Sequence, residues 1–148
     1  MNIFKLTVLI LLMSSCNSQS KKNDLYKLNL VGKVKAITET HFTAIERFGE
    51  IVKGEQERLG TNSFFFNETG YLIETNDYDY TKIYQKKKYK YDAKGHLLEI
   101  DVYTNTVEKD GELTSKFIYE YDKKGNNIFQ KVYEWKGALS FTITRSFD

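Results

Sequence analysis

From residue 33 onward the chain alternates apolar and polar positions with period two. Residues 33–46 set Val34, Ala36, Thr38 and Thr40 against Lys35, Ile37, Glu39 and His41, a β-branched pattern that predicts a strand. Before it, residues 25–32 form a short apolar lead-in stopped by Gly32. After it, Ile45, Phe48 and Val52 show helical spacing, but Gly49 and Gly54 interrupt it, so a hairpin is expected there. Residues 55–60 are charged and read as a loop or edge. Residues 61–67 and 71–78 then predict a hairpin. In residues 82–92 the pattern puts Ile83, Tyr89 and Tyr91 on one face and Lys82, Lys86, Lys88 and Lys90 around Tyr84 on the other. Residues 96–104 group Leu98, Ile100 and Val102 against Leu97, Glu99, Asp101 and Tyr103. Asp110-Gly111 is a two-residue hairpin signal. Residues 113–122 align Leu113, Phe117, Tyr119 and Tyr121, and residues 126–135 return. Lys136-Gly137 turns once more, and Leu139, Phe141, Ile143 and Phe147 close the pattern.

The prediction is an all-β chain: an antiparallel meander of about eight strands, either a twisted open sheet or a partial barrel. Tyr and Phe number 11 and 10 and proline is absent, a composition that suits strands.

One phrase recurs three times within the meander. An aromatic, any residue, an aromatic, then Asp or Asn, two free positions and Gly appear as Phe64 to Gly70, Tyr89 to Gly95 and Tyr119 to Gly125. A short polar side chain at the first turn position can accept hydrogen bonds from the backbone ahead, and Gly supplies a positive φ at the last. Asn67 with Gly70, Asp92 with Gly95, and Asp122 with Gly125 therefore read as three hairpin turns. Ile73, Leu98 and Ile128 stand at one offset past the glycines, and Tyr78, Tyr103 and Tyr133 at another.

On these residues the chain resembles the YD, or RHS, repeat of bacterial secreted and surface proteins. The match lies in Tyr91-Asp92, Gly95 and Leu97-Leu98, and in Tyr121-Asp122, Gly125 and Ile128, within about residues 61–135. Copy one departs from it with Phe66-Asn67, and copy three with Asn127. The resemblance implies a β-sheet protein in which long arrays form shells, and some related proteins are cell-surface adhesion molecules. Three copies are too few to enclose anything. The chain is also similar to small lipoproteins common in Bacteroidota, most of them without an assigned function.

The N-terminus carries the localisation signal. Lys5 is the only charge before the apolar run of residues 6–13, which is too short to cross a bilayer. Ser14 and Ser15 follow, then Cys16. Met13-Ser14-Ser15-Cys16 resembles a bacterial lipobox, whose cysteine is acylated before cleavage ahead of it. An ordinary signal peptide with an incidental cysteine is the competing reading. Cys16 is the only cysteine, so it has no disulfide partner within the chain. The expected division is a lipoprotein signal peptide at 1–15, a polar tether at 16–24 and one β-sheet domain at 25–148. The expected place is the cell envelope, as an outer-membrane lipoprotein facing the periplasm, with surface exposure left open.

Composition offers little chemistry. Lys plus Arg is 22 and Asp plus Glu is 20, a balance that points to no charged partner. His41 and His96 have no Cys or carboxylate cluster at ligand spacing, no glycine-rich loop opens a helix, and no nucleophile motif is present. Asp77, Asp79 and Asp101 could share a calcium or acid/base site, but a solvated strand end is the simpler reading. No metal, cofactor or catalytic residue is expected. The Lys86-Lys87-Lys88 patch is read as an exposed face paired with Glu99, Asp101 and Glu120, or as a contact with anionic lipid, rather than as a nucleic-acid site. The aromatics Tyr78, Tyr84, Tyr103, Tyr133 and Trp135 are the candidate surface for a ligand or partner. The expectation is a non-catalytic, membrane-anchored interaction or scaffold module with an envelope protein partner. A carbohydrate-binding module using the exposed tyrosines and Trp135 is the alternative.

Overall fold

A computed structural model describes residues 23–105 and 111–147. Eight antiparallel strands form one open sheet in sequence order, not closed into a barrel. The strands are β1 (Ala36–Arg47), β2 (Glu50–Phe66), β3 (Leu72–Asp79), β4 (Lys82–Tyr91), β5 (Leu97–Thr104), β6 (Glu112–Tyr121), β7 (Asn127–Glu134) and β8 (Ala138–Thr144). A short helix, α1 (Asp24–Lys27), precedes them, and a 3-10 turn at Trp135–Gly137 joins β7 to β8. This is the predicted meander, in its open form. Asp110 of the predicted Asp110-Gly111 hairpin lies outside the described residues.

The three recurring turns lie at the same end of the sheet and are built alike. Asn67 Oδ1 accepts from the backbone N–H of Thr69 and Tyr71, each over 3.0 Å. Asp92 Oδ1 accepts from Lys94 and His96 at 2.8 and 2.9 Å, and Asp122 Oδ1 from Lys124 and Asn126 at 2.8 Å. Each polar side chain thus satisfies two turn donors, which is why an amide serves in copy one as well as a carboxylate does later.

The turns also interlock. The residue after one glycine lies over the glycine of the next turn. Tyr71 covers Gly95 and packs its ring on Tyr91, with centroids 4.9 Å apart. His96 covers Gly125 and stacks on Tyr121 at 4.7 Å. Asn23, just before α1, takes the same place over Gly70. Gly95, at φ 88°, has the Tyr71 hydroxyl where a Cβ would stand, so its conformation favours glycine and any side chain there would have to displace the Tyr71 ring.

Helix α1 latches onto this end. Asn23 Nδ2 donates to the Thr69 carbonyl at 2.7 Å, and Asp24 Oδ2 accepts from Leu72 N–H and the Tyr91 hydroxyl, both at 2.9 Å. Leu25 is buried beside Gly70. Burial opposes ionisation of Asp24, but hydrogen bonds from Lys27, Leu72 and Tyr91 outweigh it and hold the carboxyl below its usual range. The Tyr91 hydroxyl is pushed strongly upward by burial and by Asp24.

At the opposite end, β1 and β2 run on as a two-stranded arm. Strand β3 pairs with β2 only from Thr61 to Phe66; residues 50–56 pair with β1 alone, and residues 57–60 bulge out of the β1 register, where the Arg58 carbonyl accepts from Tyr80 N–H at 2.8 Å. Residues 55–60, expected as a loop or edge, lie within strand β2 where β3 does not pair with it, and Glu55 N–H donates to Thr43 Oγ1 at 3.0 Å. The arm turns at Phe48-Gly49, both with positive φ, and Phe48 is fully exposed.

Bulges recur in phase. After each of the three turns Phe66, Tyr91 and Tyr121 face Leu72, Leu97 and Asn127, leaving Ile73, Leu98 and Ile128 as unpaired extra residues. A second set lies at the far end, where Tyr78, Tyr103 and Tyr133 face Ile83, Leu113 and Leu139. Each bulge adds one residue to one strand, so the face assignments change there. Ile83 and Leu113 leave the aromatic side that simple alternation predicts and join the opposite face.

Candidate functional site

Directly opposed residues of neighbouring strands share a face, so the registers define the two surfaces of the sheet. On one face Tyr89, Ile100, Phe117, Val132 and Phe141 form an unbroken apolar row across β4 to β8. Tyr119 flanks the row on β6, and Ile143 flanks it on β8. Val102, buried, and Gln85, Lys87 and Ser115 border a shallow depression beside it. The Thr75 hydroxyl meets the Tyr89 hydroxyl at 3.3 Å, tying the row to β3.

Ordinarily such a face would be covered by a second sheet or a helix. Among the described residues there is only the one sheet, a four-residue helix and a three-residue turn. The buried apolar residues are Leu25, Phe66, Val102 and Val132. Tyr89, Ile100, Phe117 and Tyr119 remain half-buried, and Phe141 is 49% exposed. This row is absent from the residues singled out by sequence. The signal was present in the alternation of Tyr89, Ile100 and Phe117, but each reads alone as core.

The other face is charged and neutralised. Glu74, Lys88, Asp101 and Lys116 oppose one another in alternating sign across β3 to β6. Lys116 Nζ lies 3.0 Å from both Glu99 and Asp101. Lys90 pairs with Glu99 and, at 3.5 Å, with Asp101. Lys86 reaches Glu74 at 3.4 Å and Lys131 reaches Glu120 at 3.6 Å. Lys90, and then Lys116, hold the Glu99 carboxyl below its ordinary range, while Asp101 and Glu99 raise Lys116. The partners differ from those expected of the Lys86-Lys87-Lys88 patch: Lys86 meets Glu74, and Lys87 lies on the aromatic face and meets Asp77 at 3.5 Å, while Glu99 and Asp101 are met by Lys90 and Lys116, and Glu120 by Lys131.

Tyr78, Tyr103 and Tyr133 lie together on the charged face, each at a bulge. They are half-buried. Lys88 Nζ sits 5.5 Å from the centre of the Tyr103 ring. Tyr103 and Tyr133 each border a shallow depression, the first with Ile83, Lys86 and Lys88, the second with Leu113, Lys116 and Ile118. Tyr84 does not join them: it is the extra residue of the β4 bulge, its carbonyl accepting from Asn105 N–H at 2.9 Å. Trp135 opens the 3-10 turn, and its side chain lies outside the described residues, as does Cys16.

The acidic and histidine side chains are separately engaged. Asp79 accepts two bonds from Arg58, at 2.8 and 2.6 Å, and Asp77 pairs with Lys87. Asp101 lies in the lysine network, so the three aspartates do not converge. His96 Nδ1 is 2.9 Å from Asp92 Oδ2, within its own turn. Among the described residues no three His, Cys, Asp or Glu side chains cluster as metal ligands.

Comparison with known proteins finds a similarity among the solved structures. The crystal structure of a DUF3836 family protein from Bacteroides vulgatus ATCC 8482 is similar to 76% of this chain over 100% of its own length, with a TM-score of 0.39 and 21% identity. No protein-family model and no curated protein matches the chain.

Proposed function

We propose that this protein is a non-catalytic, lipid-anchored interaction module of the bacterial envelope, and that its aromatic face docks a protein partner. The observation that carries the reading is the row Tyr89, Ile100, Phe117, Val132 and Phe141, over which no second layer lies among the described residues, with Val132 buried between its half-buried neighbours and Phe141 exposed. A contiguous apolar strip of this kind on a single-layer sheet is costly to leave in water and marks a contact surface. Its opposite is a charge-paired face, which suits solvent or headgroups.

The latch supports an orientation. If Cys16 carries lipid, residues 16–22 reach roughly 25 Å at full extension. Asn23 and Asp24 are bonded to the turn end of the sheet. The turns would then face the membrane, with the Phe48 arm pointing away. The non-catalytic reading is supported by the engagement of Asp77, Asp79, Asp92 and Asp101 in ion pairs and turns.

The test is photo-crosslinking in the native envelope, with a probe at Phe117 and another at Tyr103. A discrete protein adduct from Phe117, absent from Tyr103, supports docking on the aromatic face. A second reading, glycan binding, rests on the shared face of Tyr78, Tyr103 and Tyr133 beside Lys86 and Lys116. Capture of labelled saccharide at Tyr103, with no protein adduct from Phe117, would put it first.

A further inference from the structure

The two edges of the sheet are guarded very differently. The β1 edge carries Glu39, His41, Glu46 and Arg47, and is broken by two register shifts near Thr40 and Ala44. Charges and bulges are the devices that stop an edge strand from pairing further. Strand β8 reads Ala138-Leu139-Ser140-Phe141-Thr142-Ile143-Thr144, without a charge. Its only irregularity is the bulge at its start, and Leu139 and Phe141 stay 53% and 49% exposed. Such a strand invites a further strand.

We infer that β8 pairs antiparallel with β8 of a second copy of this chain, about a twofold axis at Thr142. Three features select this occupant and this register. First, the backbone groups are correctly aimed. Arg145 N–H donates to the Ile128 carbonyl at 2.9 Å around the Phe129–Thr144 pair, so the N–H and C=O of Thr144 point away from β7. By alternation those of Thr142 do too, and two copies of Thr142 can exchange both bonds across the axis. Second, this register sets Phe141 opposite the other copy's Ile143, twice, on the aromatic face. Phe141 opposes Val132 and Ile143 opposes Gln130, on the side of the sheet that holds Phe117 and Tyr119. Aromatic with β-branched and Thr with Thr are both favourable cross-strand pairs. Third, no like charges meet, since Arg145 would face Leu139 of the other copy. The dimer joins two half-exposed aromatic rows into one continuous face.

Thr142→Cys and Thr144→Cys test the register on purified protein under a mild oxidant. Both positions are exposed on β8, and in this pairing only Thr142 meets itself. Across a hydrogen-bonded pair the Cα separation is about 5.5 Å, within disulfide reach. Thr144 of the two copies would be more than ~10 Å apart, at about 3.4 Å per residue along the strand. Expected is a reducible dimer from Thr142→Cys, little from Thr144→Cys, and none from the unsubstituted protein, which controls for Cys16. Equal crosslinking at both positions, or at neither, overturns the inference. Sedimentation of the unsubstituted protein gives an independent check: twice the chain mass is expected, reverting to monomer in Thr142→Lys with its strand circular dichroism retained. A monomeric unsubstituted protein also overturns it.

Discussion

The hydroxyl of Tyr91 donates to Asp24 Oδ2 over 2.9 Å, joining the last residue of β4 to a helix 67 positions earlier. The same carboxylate oxygen accepts from Leu72 N–H, the first residue of β3. One side chain therefore fixes the N-terminal segment to two strands of the sheet.

Asp24→Ala should destabilise the protein by about 2 kcal/mol, because it removes charge-assisted bonds and strands the Tyr91 hydroxyl. Tyr91→Phe should cost about 1 kcal/mol, and the double substitution less than the sum, since both act on one contact. Urea unfolding of the three variants measures this. Fully additive losses would show that Asp24 and Tyr91 do not act as one latch.

Acid should remove the contribution of the turns. The His96 N–H holds the Asp92 carboxyl below its usual range, as the Asn126 N–H does that of Asp122. A depressed folded-state pKa adds stability above the unfolded value of 3.8, lost as pH falls through the folded value. Asn67 makes the same two backbone bonds without titrating. Asp92→Asn, which resembles the protonated side chain, should thus melt below the unsubstituted protein at pH 7, lose less between pH 4 and pH 2, and converge with it at the acid end. A steeper acid loss in the variant would contradict the assignment.

Glycine positions separate conformation from space. Gly49 has a positive φ of 84° with nothing near a would-be Cβ, so Gly49→Ala should cost about 1 kcal/mol. Gly95 adds the collision with Tyr71, so Gly95→Ala should cost about 3 kcal/mol and perturb the Tyr71–Tyr91 contact. Near-equal losses would mean that the Tyr71 ring moves aside freely.

Strand order and turns were legible in the sequence because both are local. Period-two alternation marks strands, and Asn67, Asp92 and Asp122 with their glycines mark turns without reference to the rest of the chain. The faces were less legible. Extra residues such as Tyr84 are invisible to an alternation count, and they moved Ile83 and Leu113 across the sheet. Residues 55–60 read as a loop or an edge because they are charged; they are edge strand, since a two-stranded arm exposes both faces and tolerates charge on each. The Asp24 latch links positions too far apart for any local pattern. The aromatic row was hidden for the opposite reason: its residues looked like core, and among the described residues no second layer lies over them.

Two ion pairs on the charged face should differ sharply in worth. Asp101 is 6% exposed and depends on Lys116 at 3.0 Å, with Lys90 farther away at 3.5 Å. Lys116→Ala takes the nearer cation from a desolvated carboxylate and from Glu99 as well, and should cost about 3 kcal/mol. Lys131 meets Glu120, whose side chain is 53% exposed, at 3.6 Å. Water replaces that partner readily, so Lys131→Ala should cost under about 0.5 kcal/mol. Lys116→Met should recover part of its larger loss by restoring the aliphatic packing without the charge. Chemical denaturation of these three variants at low and high salt decides the matter. The Lys116 loss should persist at 1 M salt, where exposed pairs are screened over about 3 Å, while the Lys131 effect vanishes. Equal losses for Lys116→Ala and Lys131→Ala would mean that the Asp101 site is wet, and that the charged face is held together by backbone pairing alone.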